Sequence, residues 1–252
     1  MLKELLPKPV RAWLRGRRQA LDRKLLVLDR VTDWGVLRRT TPYRSGLGGR
    51  RGSYIDRFYI ETFLARHREA IRGHVVEIQS DEYTVMFGDG RVTKCDILDI
   101  NPANAQRTLA LDLTQTGQAP ENAFDCAICT QTLLLIRDYP AAIRTLYRML
   151  KPGGDLLVTV PGICPVIRGP LVAGEGEDWW RFTGRSAQYA FAEVFGAENV
   201  RVETYGNVLA ATAFLHGLVQ EELTREELEY HDPDYEMIVA VRATRNAGAL
   251  LA

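Results

Sequence analysis

Seven short runs rich in aliphatic and β-branched residues punctuate the chain: VVEIQ, RVTKCDILDI, LALDL, FDCAICT, DLLVTVP, VRVETYGN and EMIVAVRAT. Runs of this kind are apolar on both faces, as strands are when helices cover both sides of a sheet. Between them lie segments with helical spacing. From Tyr54 to Arg72 the residues Ile55, Phe58, Tyr59, Phe63 and Leu64 recur on one helical face, and Gly73 offers a stop. A segment through Phe87 separates the first two strands, a helix is predicted from about Pro140 to Leu150, and SAQYAFAEVFG is another. Lys151-Pro152-Gly153-Gly154 reads as the glycine turn that ends the Pro140 helix. The alternation predicts an α/β fold with a mostly parallel seven-stranded sheet and helices on both faces.

A chain of 252 residues, 46% hydrophobic and 25% charged, suits one large α/β domain with a small extension. It has no run of about 18 apolar residues to span a bilayer, and MLKELLPKPVRAWLRGRR lacks the apolar stretch of a secretory signal. A cytoplasmic protein is expected. The net charge of zero conceals an asymmetry, because residues 1–50 hold 13 Lys/Arg against 4 Asp/Glu. Residues 1–53 are therefore read as a basic N-terminal helical arm and a Gly-rich connector, and 54–252 as the main domain. The arm is either a docking helix or a peripheral contact with an anionic membrane or a glycosyltransferase, through residues 1–30. No nucleic-acid partner is expected, and the oligomeric state is left open.

Open parallel sheets bind ligands beyond the carboxyl ends of their strands. Glu77 closes the first strand, Asp99 closes the second 22 residues later, and Asp112 lies within LALDLTQ. A carboxylate at the second strand's end suits the paired hydroxyls of a ribose. Cys126 and Cys129 form a C-x-x-C within a strand, where positions three apart face opposite ways. No metal site is assigned.

The order Glu77, Asp99, Asp112, FDCAICT and then Leu150-Lys151-Pro152-Gly153-Gly154 resembles the class I S-adenosylmethionine-dependent methyltransferases, over roughly residues 54–242. "GSYIDRFYIETFL", "EDWWRFT" and "YGNVLAATAFLHG" are similar to a bacterial subgroup associated with glycan and secondary-metabolite biosynthesis. The resemblance implies a Rossmann-like sheet and S-adenosyl-L-methionine as cofactor. It places the ribose on Asp99, the adenine amine on Asp112, and the methionine side on Thr130, Gln131 and Thr132, with Ile100 and Leu113 among the cofactor-binding residues. One departure concerns the loop after the first strand, where the family carries glycines and this chain has Gln79, Ser80, Asp81, Glu82 and Tyr83. Either side chains replace the bare backbone, with Gln79 and Ser80 donating and Glu77 or Asp81 meeting the ammonium group, or the cofactor has been lost. A nicotinamide dinucleotide is disfavoured, since its pyrophosphate needs the missing glycine turn.

The implied activity is methyl transfer to oxygen, on a sugar hydroxyl of a glycan or glycosylated small molecule. A hydroxyl is a poor nucleophile and wants a general base. Candidates are His216, His231 and the acids Glu175, Glu177 and Asp178. Acceptor-side loops are expected in 161–232, with Tyr54, Tyr59, Glu175, Trp179, Trp180, Arg181 and Asn207 as acceptor contacts. The competing reading is a catalytically inactive methyltransferase-like domain that docks a glycan-assembly enzyme.

Overall fold

The computed structural model describes residues 35–44, 52–167 and 178–247. The chain divides into two compact units, 1–41 and 42–252. Of the first, the described part contains a single 3-10 turn, Gly35–Leu37. The arm predicted over residues 1–30 lies outside the described residues, as do Glu175 and Glu177.

In the second unit the order is α1 (Ile55–Arg66), β1 (Gly73–Ile78), α2 (Glu82–Gly88), β2 (Val92–Leu98), β3 (Phe124–Thr130), α3 (Tyr139–Met149), β4 (Leu150–Pro161), α4 (Gly184–Phe195), β5 (Val200–Tyr205), α5 (Val208–Leu215), α6 (Arg225–Glu229) and β6 (Ile238–Thr244). The strands form a sheet ordered β2-β1-β3-β4-β6-β5. β2, β1, β3 and β4 are parallel, and β6 runs antiparallel to both β4 and β5. The chain moves outward from β1 to β2, then returns across β1 to β3. This reversal makes the β1/β3 carboxyl edge the ligand position of the fold.

Alternation along the strands fills two layers. Cys126 and Ile128 of β3 pack with Ile60, Phe63 and Leu64 of α1, while Ala127 and Cys129 pack with Leu146 of α3 and Phe191 of α4. The two C-x-x-C thiols therefore lie on opposite faces of the sheet. Phe63, Leu64 and Leu146 are fully buried, and each contributes about 1.5–3 kcal/mol by leaving water. Asp138 caps α3 by accepting from Ala141 N at 3.0 Å, with Pro140 in the first turn.

Three expectations are corrected. The seventh strand, LALDL, is not one. Leu109 makes a single parallel bridge to Leu98, and then Asp112 bends the chain, because its Oδ1 accepts from both Thr114 N and Thr114 Oγ1 at 2.8 Å. Leu111 and Leu113 stay buried in the core, but the backbone leaves the edge of β2. The helix expected to reach Arg72 stops at Arg66, and a 3-10 turn (Arg68–Ala70) follows. The Lys151–Gly154 turn belongs to β4, because Gly153 N donates to Arg245 O and Arg245 N to Gly154 O, both at 2.8 Å. Among the described residues no helix is long and apolar enough to cross a membrane.

Candidate functional site

The chain turns back from the carboxyl end of β1 through Gln79, whose φ of 72° is a left-handed conformation that normally falls to glycine. A side chain thus occupies a backbone shape that a glycine loop would use. Gln79 N donates to Leu98 O at 2.9 Å, and Gln79 O accepts from Asn104 Nδ2 at 2.8 Å. The same Nδ2 reaches Asp99 Oδ2 at 2.8 Å, and Asn101 N donates to Asp99 Oδ1 at 2.9 Å. One amide therefore ties the loop after β1 to the carboxylate that closes β2. Asp99 is 8% exposed, whereas its neighbour Ile100 presents 59% of its surface. Ser80 Oγ lies 3.5 Å from Glu82 N, at the entry to α2.

Glu77 is placed differently. It is 2% exposed, and its carboxylate accepts from Tyr83 N at 3.1 Å and from Thr84 N and Oγ1 at 2.7 Å. Burial pushes its pKa up; the bonds from Thr84 and Tyr83 only partly oppose this. Glu77 therefore anchors the start of α2. Asp112, at the bend described above, and buried Leu113 flank the same edge beside β2. At the end of β3, Gln131 also has a positive φ, 47°. Its N–H donates to Thr159 O at 2.8 Å, and Thr132 Oγ1 donates to Thr130 O at 2.9 Å. These bonds hold the Thr130–Thr132 turn against β4.

In the segment expected to meet an acceptor, Trp179 and Trp180 both donate their N–H groups to Leu134 O, at 2.9 and 3.2 Å. Trp180 Nε1 reaches Ile136 O at 3.0 Å, and the Arg137 guanidinium sits 5.3 Å over the Trp179 ring. Trp180 lines an open groove of about 700 Å³ with Thr114, Gln115, Arg137 and Tyr139. Both tryptophans remain more than a third exposed.

Asp178 is locked in a bidentate pair with Arg181 and accepts from Ile167 N at 2.7 Å. Burial acts to raise its pKa, but the Arg181 and Ile167 bonds prevail and hold it below the ordinary carboxylate value. Such a carboxylate is a weak proton acceptor. Arg181 also donates to Pro165 O at 2.9 Å and Trp180 O at 2.8 Å, so it staples two loops together. Asn207 likewise spends its side chain on structure: Oδ1 caps α5 through Ala210 N at 2.9 Å, and Nδ2 donates to Glu227 O and Tyr230 O.

His216 caps the far end of α5, with its ring 5.1 Å from that of Tyr43. Its Nδ1 is buried and, among the described residues, has no hydrogen-bond partner. Tyr54 pairs with Val219, and Gln220 Nε2 donates to Tyr54 O at 2.7 Å. Those contacts bring the segment after His216 to the start of α1. Tyr59 and His231 meet elsewhere, in a groove of about 640 Å³ along β5 with Arg66, Glu203 and Tyr205. There His231 Nε2 is 3.2 Å from Thr204 Oγ1. Burial pushes the Tyr59 phenol up to about 12.

Sequence reasoning passed over Asn104, Asp56 and Arg57. Asp56 opens α1, where an acid is an ordinary helix-start residue, and burial pushes its carboxyl up to about 6. Among the described residues no cluster of three His, Cys, Asp or Glu could hold a metal ion.

The family model described as "Methyltransferase domain" matches residues 59–203. A phosphoethanolamine N-methyltransferase of Triticum aestivum is 30% identical over 116 residues, 45% of this chain and 19% of that protein. The ubiquinone/menaquinone biosynthesis C-methyltransferase UbiE of Enterobacter sp. (strain 638) is 32% identical over 121 residues, 38% of this chain and 47% of that protein. The chain thus spans between a fifth and a half of the length of these curated relatives. A solved S-adenosylmethionine-dependent methyltransferase from Mesorhizobium loti superposes with a TM-score of 0.49 at 17% identity, covering 79% of this chain and all of that one. Because the family match runs from α1 into β5 and takes in more than half of the chain, the protein belongs to the methyltransferase-domain family, whose cofactor is S-adenosylmethionine.

Proposed function

We propose that the protein methylates a hydroxyl oxygen of a glycan or glycosylated small molecule, using S-adenosylmethionine. The observation that carries the cofactor half is the tied edge between β1 and β2, where Asn104 fixes Asp99 against Gln79 O at 2.8 Å. Each oxygen of that carboxylate accepts one protein hydrogen bond and keeps a further lone pair for a diol. Ile100 supplies an exposed apolar surface beside it, as an adenine requires. When bound, the cofactor supplies an electrophilic methyl group on sulfur.

The chain's own contribution is to hold the partners in line, to exclude water and to take a proton. Thr130, Gln131 and Thr132 form the turn that lines the methionine side. Trp179 and Trp180 offer partly exposed aromatic planes beside Arg137, the surface on which a sugar ring packs. His216 serves as base, on the strength of a buried Nδ1 that makes no hydrogen bond among the described residues. The Arg181 pair argues against Asp178 in that role, and His231 lines the groove along β5.

The test is transfer of isotopically labelled methyl from S-adenosylmethionine to a panel of sugars, nucleotide sugars and lipid-linked glycans, with phosphoethanolamine and a quinone precursor alongside. Label on a sugar oxygen, lost in His216→Gln, is the expected result. Label found on the phosphoethanolamine nitrogen or the quinone ring alone overturns the acceptor assignment. The docking reading predicts no label on any acceptor and no thermal shift with S-adenosylhomocysteine.

A further inference from the structure

The amino-acid end of S-adenosylmethionine is a zwitterion, and a glycine loop would ordinarily meet its carboxylate with backbone N–H groups. In this chain the loop after β1 presents acids instead, Asp81 and Glu82, and Glu77 is spent on α2. Like charges would repel a carboxylate there, so a cation must come from another element. The first turn of α1 brings one.

The direction of α1 follows from its packing. Ile55, at its start, lies in a cluster with Ile163, Cys164 and Ile238, at and beyond the end of β4. Leu64, near its end, packs with Val75 in β1 and Ile71 ahead of it. The first turn of α1 therefore overhangs the carboxyl edge of the sheet. Asp56 shares a helical face with Ile60 and Phe63, which lie in one buried cluster with Ile128 of β3, Leu157 of β4 and Ala240 of β6. One turn further toward the N-terminus, Asp56 lies toward the carboxyl edge of the sheet. Consecutive helical residues diverge by about 100°, and Arg57 turns toward α2. Its Nη1 donates to Glu82 Oε1 at 2.9 Å, and its guanidinium lies 5.9 Å over the Tyr83 ring. The Arg57–Glu82 pair is 36% and 48% exposed, and such pairs are weak in water.

Among the described residues no Lys, Arg or His forms a salt bridge with Asp56. Its Oδ1 accepts from the backbone N–H of Arg57 at 2.9 Å. The side chain is half-buried, and burial dominates its electrostatics, raising the carboxyl against the opposing effect of Arg57. The other titratable groups that feel its charge are Tyr83 and Cys164. A carboxylate so poorly solvated is stabilised by an incoming cation.

We propose that Asp56 takes the ammonium and Arg57 the carboxylate of the cofactor's amino-acid end, so that two side chains on one helical turn replace a glycine-rich loop. The proposal rests on the cofactor reading above. Ligand carboxylate displaces Glu82 from Arg57, and two charges held on diverging sides of α1 fix which end of the zwitterion faces β3.

Calorimetry on the full chain tests this with S-adenosylhomocysteine and 5′-methylthioadenosine, which shares the nucleoside and sulfur but lacks the amino-acid end. Asp56→Asn and Arg57→Gln should each weaken S-adenosylhomocysteine by about tenfold or more while 5′-methylthioadenosine stays within about twofold. Wild-type affinity for S-adenosylhomocysteine should also fall as pH drops through about 6, and Asp56→Asn should abolish that dependence. Should Arg57→Gln fail to fold, Arg57→Lys, which keeps the charge, must retain the preference for S-adenosylhomocysteine. Variants that leave S-adenosylhomocysteine unchanged, or weaken both ligands alike, overturn the proposal. If Asp99→Ala loses both ligands while the α1 variants lose neither, the cofactor reading stands and the α1 clamp alone falls. A wild-type protein that binds neither ligand defeats the cofactor reading itself.

Discussion

The carboxylates inside the strands and those at the carboxyl edge are held by different kinds of partner. In the strand bodies, Asp96 of β2 is met by His74 Nε2 at 2.6 Å and Lys94 Nζ at 2.8 Å, Asp125 of β3 by Lys151 at 2.7 Å, and Asp155 of β4 by Arg242 at 3.0 Å. At the edge, Asp56, Asp99 and Asp112 accept hydrogen bonds from nearby backbone, hydroxyl and amide groups, and among the described residues none of the three forms a salt bridge. Burial works against the charge of Asp96 and Asp56 alike. Paired Asp96 is nonetheless pulled down to about 2, its bonds to Lys94, Thr108 and His74 prevailing over burial, while Asp56 is pushed up to about 6. The first set holds the sheet together; the second is the set we propose for the cofactor.

Asp178 tests the division most severely, because it lies near the edge yet is paired like a strand acid. Arg181→Ala leaves its fully buried carboxylate without a guanidinium, and urea unfolding should show a loss of about 3 kcal/mol or more. Replacing both residues, as Arg181→Met with Asp178→Asn, should recover much of it. A negligible loss in the single variant would move Asp178 to the ligand set.

Asp99→Ala should weaken S-adenosylhomocysteine by about 1.5–3 kcal/mol, as for hydrogen bonds to a charged group, with the unfolding midpoint little changed. Affinity kept within error by calorimetry would remove Asp99 from the site.

Asp56→Asn should do the reverse to stability. Its folded pKa is above the ordinary 3.8, so its favourable contribution is complete below about pH 4 and lost as pH rises through about 6. Near pH 7 the charged form costs the fold, and removing it should stabilise the unliganded protein by about 1–2 kcal/mol. That gain should vanish near pH 4. A variant less stable than wild type at neutral pH contradicts the assignment of Asp56 to the unpaired set.

Asp96 gives the smallest effect. Its folded pKa is depressed, so its contribution is present above about pH 4 and lost as pH falls toward about 2. Asp96→Asn should cost about 1 kcal/mol near pH 7 and flatten acid unfolding across that window.

What could be read from the amino-acid order follows the same physics. The alternation of apolar runs and helical segments was legible because burial on two faces leaves a period, and so was the split of Cys126 from Cys129. The seventh strand misread, since LALDL has the apolar content of a strand and enters the core, but Asp112 bonds Thr114 and bends away. Asp99 follows the last residue of β2, as its place in the sequence implied. Glu77 had the same credentials and turned inward, because Tyr83 and Thr84 offered it N–H donors that no spacing rule reveals. Asp56 was hidden by being ordinary: an acid opening a helix reads as a helix-start residue, and only the packing of α1 against the sheet brings it toward the edge. Asn104 carried no signal, since its role depends on two loops meeting in space.

Whether the carboxyl edge binds S-adenosylmethionine without a glycine-rich loop is decided by a thermal-shift titration of the full chain with S-adenosylhomocysteine. A saturable rise worth about 2.7 kcal/mol is expected when the ligand stands at about 100 times its dissociation constant, with Asp99→Ala needing far more ligand for the same rise. A melting temperature that stays flat up to millimolar ligand, in a wild-type protein that is folded, would contradict it.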